Sequence, residues 1–326
     1  MSQNITSQFL EYVRSKERSA HSRRVLSKVI SMAENEDPQV QHLLKELYPC
    51  LGNAYRIGFT GPPGSGKSTL VNLVSKMFAD RNLKVGIIAV DPTSSFTGGA
   101  ILGDRYRMND IVLYPDIFIR SMASRGSFGG LVRTAYQVAD IMDAYGMDMI
   151  ILETVGVGQS EIEIVEHADT TVVVLVPESG DGVQAMKAGL MEIADVFVIN
   201  KSDREQADYI KREVESMLEL KLHDEKSWLP SVIKTIATQK KGIEGVIEEI
   251  RKHRDHLSGG GELVRRRKER IRHELQRLIE DKMRKQWHEN DFMKKIETHI
   301  LDIHTGKDSI YSVAEKLYQD FFNGRS

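Results

Sequence analysis

The chain has one cysteine, Cys50, among its 326 residues, so it holds no internal disulfide and cannot build a thiolate metal cage. Its ten histidines are scattered and none forms a compact pair with that cysteine. No stretch approaches the ~18 consecutive apolar residues of a membrane span. The opening "MSQNITSQFLEYVRSKERSA" has no apolar run of the signal-peptide kind. A formal net charge of −2 provides no general attraction for nucleic acid or an anionic membrane. These absences lead us to expect a cytoplasmic protein that needs neither a membrane nor a polynucleotide. With 40% hydrophobic and 28% charged residues, the composition is that of an ordinary folded protein. The length suits one large domain with appendages, or two ordinary domains.

Residues 1–52 read as a helical extension: Phe9, Leu10 and Val13, then Val25, Leu26, Val29 and Ile30, recur at helical spacing between charges. From Tyr55 the pattern changes to seven short apolar runs: "YRIGFT", "KVGIIAV", "DIFIRSMA", "MDMIILET", "TTVVVLV", "DVFVIN" and "PSVIKTIA". Amphipathic segments separate most of them, with helices expected at 69–79, 130–145, 183–193, 205–220 and 242–256. That alternation predicts an α/β fold, a mostly parallel sheet with helices on both faces, over residues 53–257. "SGGG" at 258–261 reads as a linker or sharp turn. Three further helices are expected in 258–326, and Leu263, Ile271, Leu275, Leu278 and Ile279 form an apolar stripe that something must cover.

"GPPGSGKST", Gly61 to Thr69, fits the pattern G-x-x-x-x-G-K-[ST], with a strand before it and a helix after it. Gly61, Pro62, Pro63, Gly64, Ser65 and Gly66 form the loop, and glycines let backbone N–H groups face a phosphate chain. The helix N-terminus adds partial positive charge. Lys67 reaches the terminal phosphates and Ser68 is placed for Mg2+. A chance Gly-rich turn would not satisfy so many positions in this context. "NKSD" then ends a later strand with Asn200, Lys201 and Asp203. The Asp203 carboxylate can accept from both N1–H and the exocyclic amine of guanine, whereas adenine has no donor at N1. A half-paired carboxylate costs about 1–3 kcal/mol, which favours GTP and GDP. A simple helix cap is the alternative for "NKSD". Its place at a strand's carboxyl end, where open α/β sheets bind ligands, argues for the nucleotide. Backbone N–H groups of Ala237, Thr238 and Gln239 are candidates for guanine O6.

Asp91 ends a strand, and Asp104 lies in the Gly/Ser/Thr-rich loop after it. With Ser68, phosphate oxygens and waters they make an oxygen ligand set suited to Mg2+. Arg105 and Arg107 are either charge stabilisers or structural arginines, and Asp181, Gln184 and Lys187 either a further switch or a helix cap. "ILETVGVGQSE" puts Glu153, rather than the Asp common in GTPases, at the end of its strand. Its Gln159 stands three residues past Gly156, displaced from the usual water-positioning place.

"GPPGSGKST", "VDPTSSFTGGAILGDRYRM", "SMASRGSFGGL", "ETVGVGQSE", "GDGVQAMKAG" and "NKSD", in that order, resemble the MeaB-type GTPases. That group includes the human methylmalonic aciduria type A protein and bacterial proteins labelled ArgK arginine-transport kinases. The likeness extends over nearly the whole chain. It implies a P-loop GTPase domain with a C-terminal homodimerisation arm, related to the nickel metallochaperones of hydrogenase and urease. It also implies a partner, an adenosylcobalamin-dependent acyl-CoA mutase, chiefly methylmalonyl-CoA mutase. GTP hydrolysis would gate cofactor loading and protect or reactivate the mutase. Asp91, Asp104 and Glu153 would hold magnesium or its waters, with the Gly156 N–H near the γ-phosphate. Glu153 is the family's own residue; "ATQ" departs from the usual Ser-Ala. Because nothing reads as a locked water-activating group, slow intrinsic hydrolysis stimulated by the partner is expected. A nickel metallochaperone and a transport-protein kinase are the alternatives, and neither a Cys–His site nor a protein-acceptor site favours them. The basic run "ELVRRRKERIRHELQR" is interleaved with Glu262, Glu269 and Glu274 and lacks aromatics, so it reads as a solvated helix face.

Overall fold

The structure is a computed structural model and describes residues 2–91, 111, 114–123, 128–154, 163, 167–177, 190–220, 227–289 and 292–323. Each of the seven apolar runs forms a strand: β1 (Tyr55–Thr60), β2 (Val85–Asp91), β3 (Ile117–Ala123), β4 (Met149–Thr154), β5 (Thr170–Leu175), β6 (Val196–Ile199) and β7 (Ser231–Lys234). They pair in parallel in the order β3-β2-β4-β1-β5-β6-β7. Every residue of β1, β4, β5 and β6 is buried, because helices cover both faces. β1 lies between β4 and β5, with Phe59 opposite Glu153 on one side and Val172 on the other. The phosphate loop therefore leaves the middle of the sheet.

Strand alternation divides the core in two. Ile57, Phe59, Met149 and Ile151 pack with α4 (Lys67–Ala79) and α7 (Ile243–Gly259) through Leu70, Val74, Val246 and Ile250. Ile88, Val90, Ile150 and Leu152 face the other way, onto α5 (Phe128–Tyr145) through Val138, Ile141 and Met142. The N-terminal helices α1 (Ser2–Ser15), α2 (Ala20–Glu34) and α3 (Pro38–Leu47) join that second core with Phe9, Leu26, Ile30 and Leu43. α6 (Ala207–Glu219) packs Ile210, Val214 and Leu218 over β5 and β6.

Charge fastens the N-terminal layer. Arg120 on β3 forms a two-pronged pair with Glu34, its Nε 2.6 Å from Oε1, and also donates to Ser31 3.0 Å away. The guanidinium of Arg23 donates to the carbonyls of Pro115 and Ile117 beside the edge strand β3, covering acceptors that an edge leaves open. Asp143 accepts from the N–H groups of Gly52, Asn53 and Ala54, fixing the entry into β1. Arg56, 3% exposed, is paired with Asp140 at 2.6 Å. Breaking such a buried pair from one side costs about 3–5 kcal/mol.

By contacts the chain forms two compact units, Met1–Leu263 and Val264–Ser326. The helices of residues 1–52 thus share a unit with the sheet. α7 continues through Ser258 to Gly259, and a turn follows at Gly260–Gly261, where Gly261 has φ +72°. α6 begins two residues later than expected, after Gln206 at φ +74°. In the second unit, α8 (Glu262–Glu289) leaves Ile271, Leu275, Leu278 and Ile279 exposed. α9 (Phe292–His304) and α10 (Ile310–Asn323) meet through Ile296, Ile303, Val313 and Leu317. No helix among the described residues is long and apolar enough to cross a membrane.

Candidate nucleotide site

The phosphate loop joins β1 to α4, and two of its glycines are imposed by space as well as by φ. Gly61 has φ +144°, and a Cβ there would stand 2.1 Å from the carbonyl oxygen of Val174 on β5. Gly66 has φ +88°, and a Cβ there would meet the Asn200 Nδ2 at 2.3 Å. The loop is therefore pressed against β5 and against the residue that follows β6. Lys67 is buried, and its ammonium donates to the carbonyls of Gly61 at 2.7 Å and Pro62 at 2.9 Å. α4 starts at Lys67, two residues earlier than the sequence suggested, because Gly66 provides a left-handed cap.

Ser68, in the first turn of α4, donates its hydroxyl to Glu153 Oε1 at 2.5 Å. Glu153 is 4% exposed. This brings a hydroxyl and a carboxylate together at the helix start, an all-oxygen donor pair of the kind a hard divalent cation takes. Asp91 ends β2, where its backbone pairs with Ala123. Asp104, Arg105, Arg107, Gly156, Gln159, Asp181, Gln184 and Lys187 lie outside the described residues.

Asn200 is the junction of three loops. Its Nδ2 donates to the carbonyl of Ser65 at 2.9 Å, while its Oδ1 accepts from the Thr235 hydroxyl at 3.0 Å and the Ala237 N–H at 3.1 Å. One side chain so ties the phosphate loop, the "NKSD" turn and the segment after β7. Lys201 has φ +56°, an uncommon conformation for lysine, of the kind that collects at functional sites. Asp203 is exposed in the turn that the Ser202 N–H fastens to the Thr235 carbonyl at 3.0 Å. An open depression of about 500 Å³, lined by Pro177, Arg204, Glu205 and Gln206, borders that turn. Of the three N–H groups expected to face guanine O6, Ala237 donates to Asn200 and Gln239 to the carbonyl of Ile236.

A family model described as "Methylmalonyl Co-A mutase-associated GTPase MeaB" matches residues 26–291. The chain belongs to the MeaB family of GTPases. A Pyrococcus abyssi protein with a provisional GTPase name is 48% identical over 259 residues, 79% of this chain and 80% of its own length. The Escherichia coli GTPase ArgK is 35% identical over 268 residues, 80% of this chain and 81% of its own. The mouse methylmalonic aciduria type A homolog, a mitochondrial protein, is 35% identical over 230 residues, 70% of this chain and 55% of its own. A crystal structure described as a LAO/AO transport system kinase superposes over 98% of both chains at 27% identity, with a TM-score of 0.75.

Within this MeaB-family chain the structure adds residues that sequence reasoning passed over. The Ala237 N–H and the Ser65 carbonyl fix which way the Asn200 amide faces, and the Thr235 hydroxyl, on a residue 1% exposed, adds a second donor to the Asn200 oxygen. Thr60 and Thr154, both fully buried, meet at 3.2 Å where β1 and β4 end. Helical or strand periodicity carries no signal for either contact.

Proposed function

We propose that this MeaB-family GTPase is a chaperone of an adenosylcobalamin-dependent acyl-CoA mutase, methylmalonyl-CoA mutase first among them. It works as a cytoplasmic homodimer and uses GTP hydrolysis to gate cofactor loading and to protect or reactivate the mutase. The observation that carries the nucleotide chemistry is the convergence of Lys67, Ser68 and Glu153 at one helix start. The mutase-associated description of the matching family supports the partner, and the exposed apolar stripe on α8 supports a second copy as its cover.

Bound magnesium supplies positive charge to the β- and γ-phosphate oxygens. Ser68 and Glu153 would hold it or its waters, together with Asp91 at the end of β2 and Asp104. Lys67 exchanges its two carbonyl acceptors for phosphate oxygens. Asp203 reads the guanine edge, and Asn200 keeps that reader in register with the phosphate loop. Catalysis of this type is positioning and electrostatics. Ordering of the loops by the mutase is then the accelerating event, which in other GTPases is worth about 10³–10⁵ in rate. Capture of purified methylmalonyl-CoA mutase on the immobilised chain, loaded with GDP or with a non-hydrolysable GTP analogue, tests the reading. Nucleotide-dependent retention is expected, and no retention in either state contradicts it.

A further inference from the structure

We propose that Thr154 is a positioning residue for hydrolysis, one half of a clasp that holds the end of β4 to the end of β1. The inference rests on the GTPase reading above. β1 and β4 run side by side with Phe59 opposite Glu153, so Thr60 and Thr154 are the next residues along, and each ends its strand. The Thr154 hydroxyl donates to Thr60 Oγ1 at 3.2 Å, with the carbonyl oxygen of Phe59 at 3.5 Å, and both threonines are fully buried.

Side chains alternate along a strand, so Glu153 and Thr154 project to opposite faces of the sheet. Glu153, like Met149 and Ile151, faces α4 and meets Ser68 there. Thr154, like Ile150 and Leu152, faces the other layer and meets Thr60. The last two residues of β4 are thus clipped on both faces to the β1–phosphate loop–α4 unit. Gly61 follows Thr60 directly, and its backbone lies so close to Val174 that no Cβ fits. The clasp therefore anchors β4 to a part of the chain with no slack.

Packing does not demand hydroxyls here, since valine has nearly the same volume and would bring no polar atom into the core. What the hydroxyl pair adds is direction at a strand end, and with it the aim of the adjacent Glu153 carboxylate at Ser68 and at the magnesium the two would hold. Small errors of aim are costly, since a 1 Å misplacement can cost about 10²-fold in rate. Losing one such hydrogen bond corresponds to a fall of about threefold to tenfold in the aligned population.

The test compares full-length wild type with Thr154→Val, Thr154→Ser and Thr60→Val. Three readouts are taken: GTP turnover, GDP affinity with and without magnesium, and amide exchange at Glu153 and Thr154. Thr154→Val should lower kcat about threefold to tenfold while KM and magnesium-free GDP affinity stay within about twofold. It should also shrink the gain in GDP affinity that magnesium brings and speed exchange at the end of β4. Thr154→Ser should restore all of these, and Thr60→Val should reproduce the defect if Thr154→Val does not fold. Wild-type kcat, magnesium response and exchange in Thr154→Val overturn the proposal, as does an equal defect in the serine variant. Absence of GTP turnover in the wild type would refute the parent reading instead, and the magnesium and exchange readouts would still decide the clasp.

Discussion

Replacing Asn200 by alanine should loosen three segments at once. The side chain is 3% exposed and makes hydrogen bonds of 2.9, 3.0 and 3.1 Å to the Ser65 carbonyl, the Thr235 hydroxyl and the Ala237 N–H. Ser65 and Thr235 are themselves only 0% and 1% exposed. At about 1 kcal/mol net per hydrogen bond, the loss is about 3 kcal/mol, and more where a partner stays buried and unpaired. For a unit of this size each kcal/mol shifts Tm by about 2–4 °C, so calorimetry should show a fall of about 6–12 °C. Asn200→Asp keeps an acceptor for Thr235 and Ala237 but turns a carboxylate oxygen toward the Ser65 carbonyl. It should be at least as destabilised as the alanine variant. Guanine nucleotide affinity should fall in both, because the phosphate loop and the Asp203 turn lose their common tie. An Asn200→Ala protein melting within about 1 °C of wild type, with GDP affinity intact, would refute the reasoning.

Asp203→Asn should move nucleotide preference from guanosine to xanthosine, read by competition binding; unchanged GTP affinity would sink the assignment of "NKSD". Gly61→Ala should fail to fold or to bind nucleotide, because its Cβ would lie 2.1 Å from the Val174 carbonyl oxygen. Gly64→Ala, at φ +74° with open space around it, should fold with a loss of only about 1–2 kcal/mol by chemical denaturation. Burial raises the Tyr55 hydroxyl well above the ordinary tyrosine value of 10.0, opposed by its hydrogen bond to Thr170. Because the folded value is the higher one, the neutral phenol's contribution is complete below pH 10.0 and is lost as pH rises above it. Tyr55→Phe gives up the 2.6 Å bond to Thr170 and should be less stable at neutral pH. Its deficit should narrow in denaturation curves measured above pH 10.0, and a constant gap would contradict this.

All seven strands were legible in the sequence because a parallel sheet covered on both faces leaves continuous apolar runs such as "TTVVVL". The phosphate loop was legible for a related reason: glycine, lysine and serine at fixed spacing leave few other structures possible. Contacts between distant residues were not legible. Arg120 and Glu34 are 86 positions apart, and nothing in the periodicity of α2 announces that it splints the edge strand. Thr235 reads as the end of a strand, yet its hydroxyl donates to Asn200. "SGGG" at 258–261 reads as a linker or sharp turn; the turn is there at 260–261, but α7 runs through Ser258 into Gly259 before it. Left-handed residues such as Gln206 and Gly66 moved helix starts by two positions, a shift that composition does not encode.

Glu153 at the end of β4 meets the Ser68 hydroxyl, and partner-gated hydrolysis at that site is our proposal. Turnover of GTP by the full-length chain, with and without purified methylmalonyl-CoA mutase, tests that gating most directly. Slow turnover by the chain alone is expected, rising by orders of magnitude as the mutase is titrated in, as loop-ordering partners do for other GTPases. A chain that already turns over GTP at the mutase-saturated rate would contradict it.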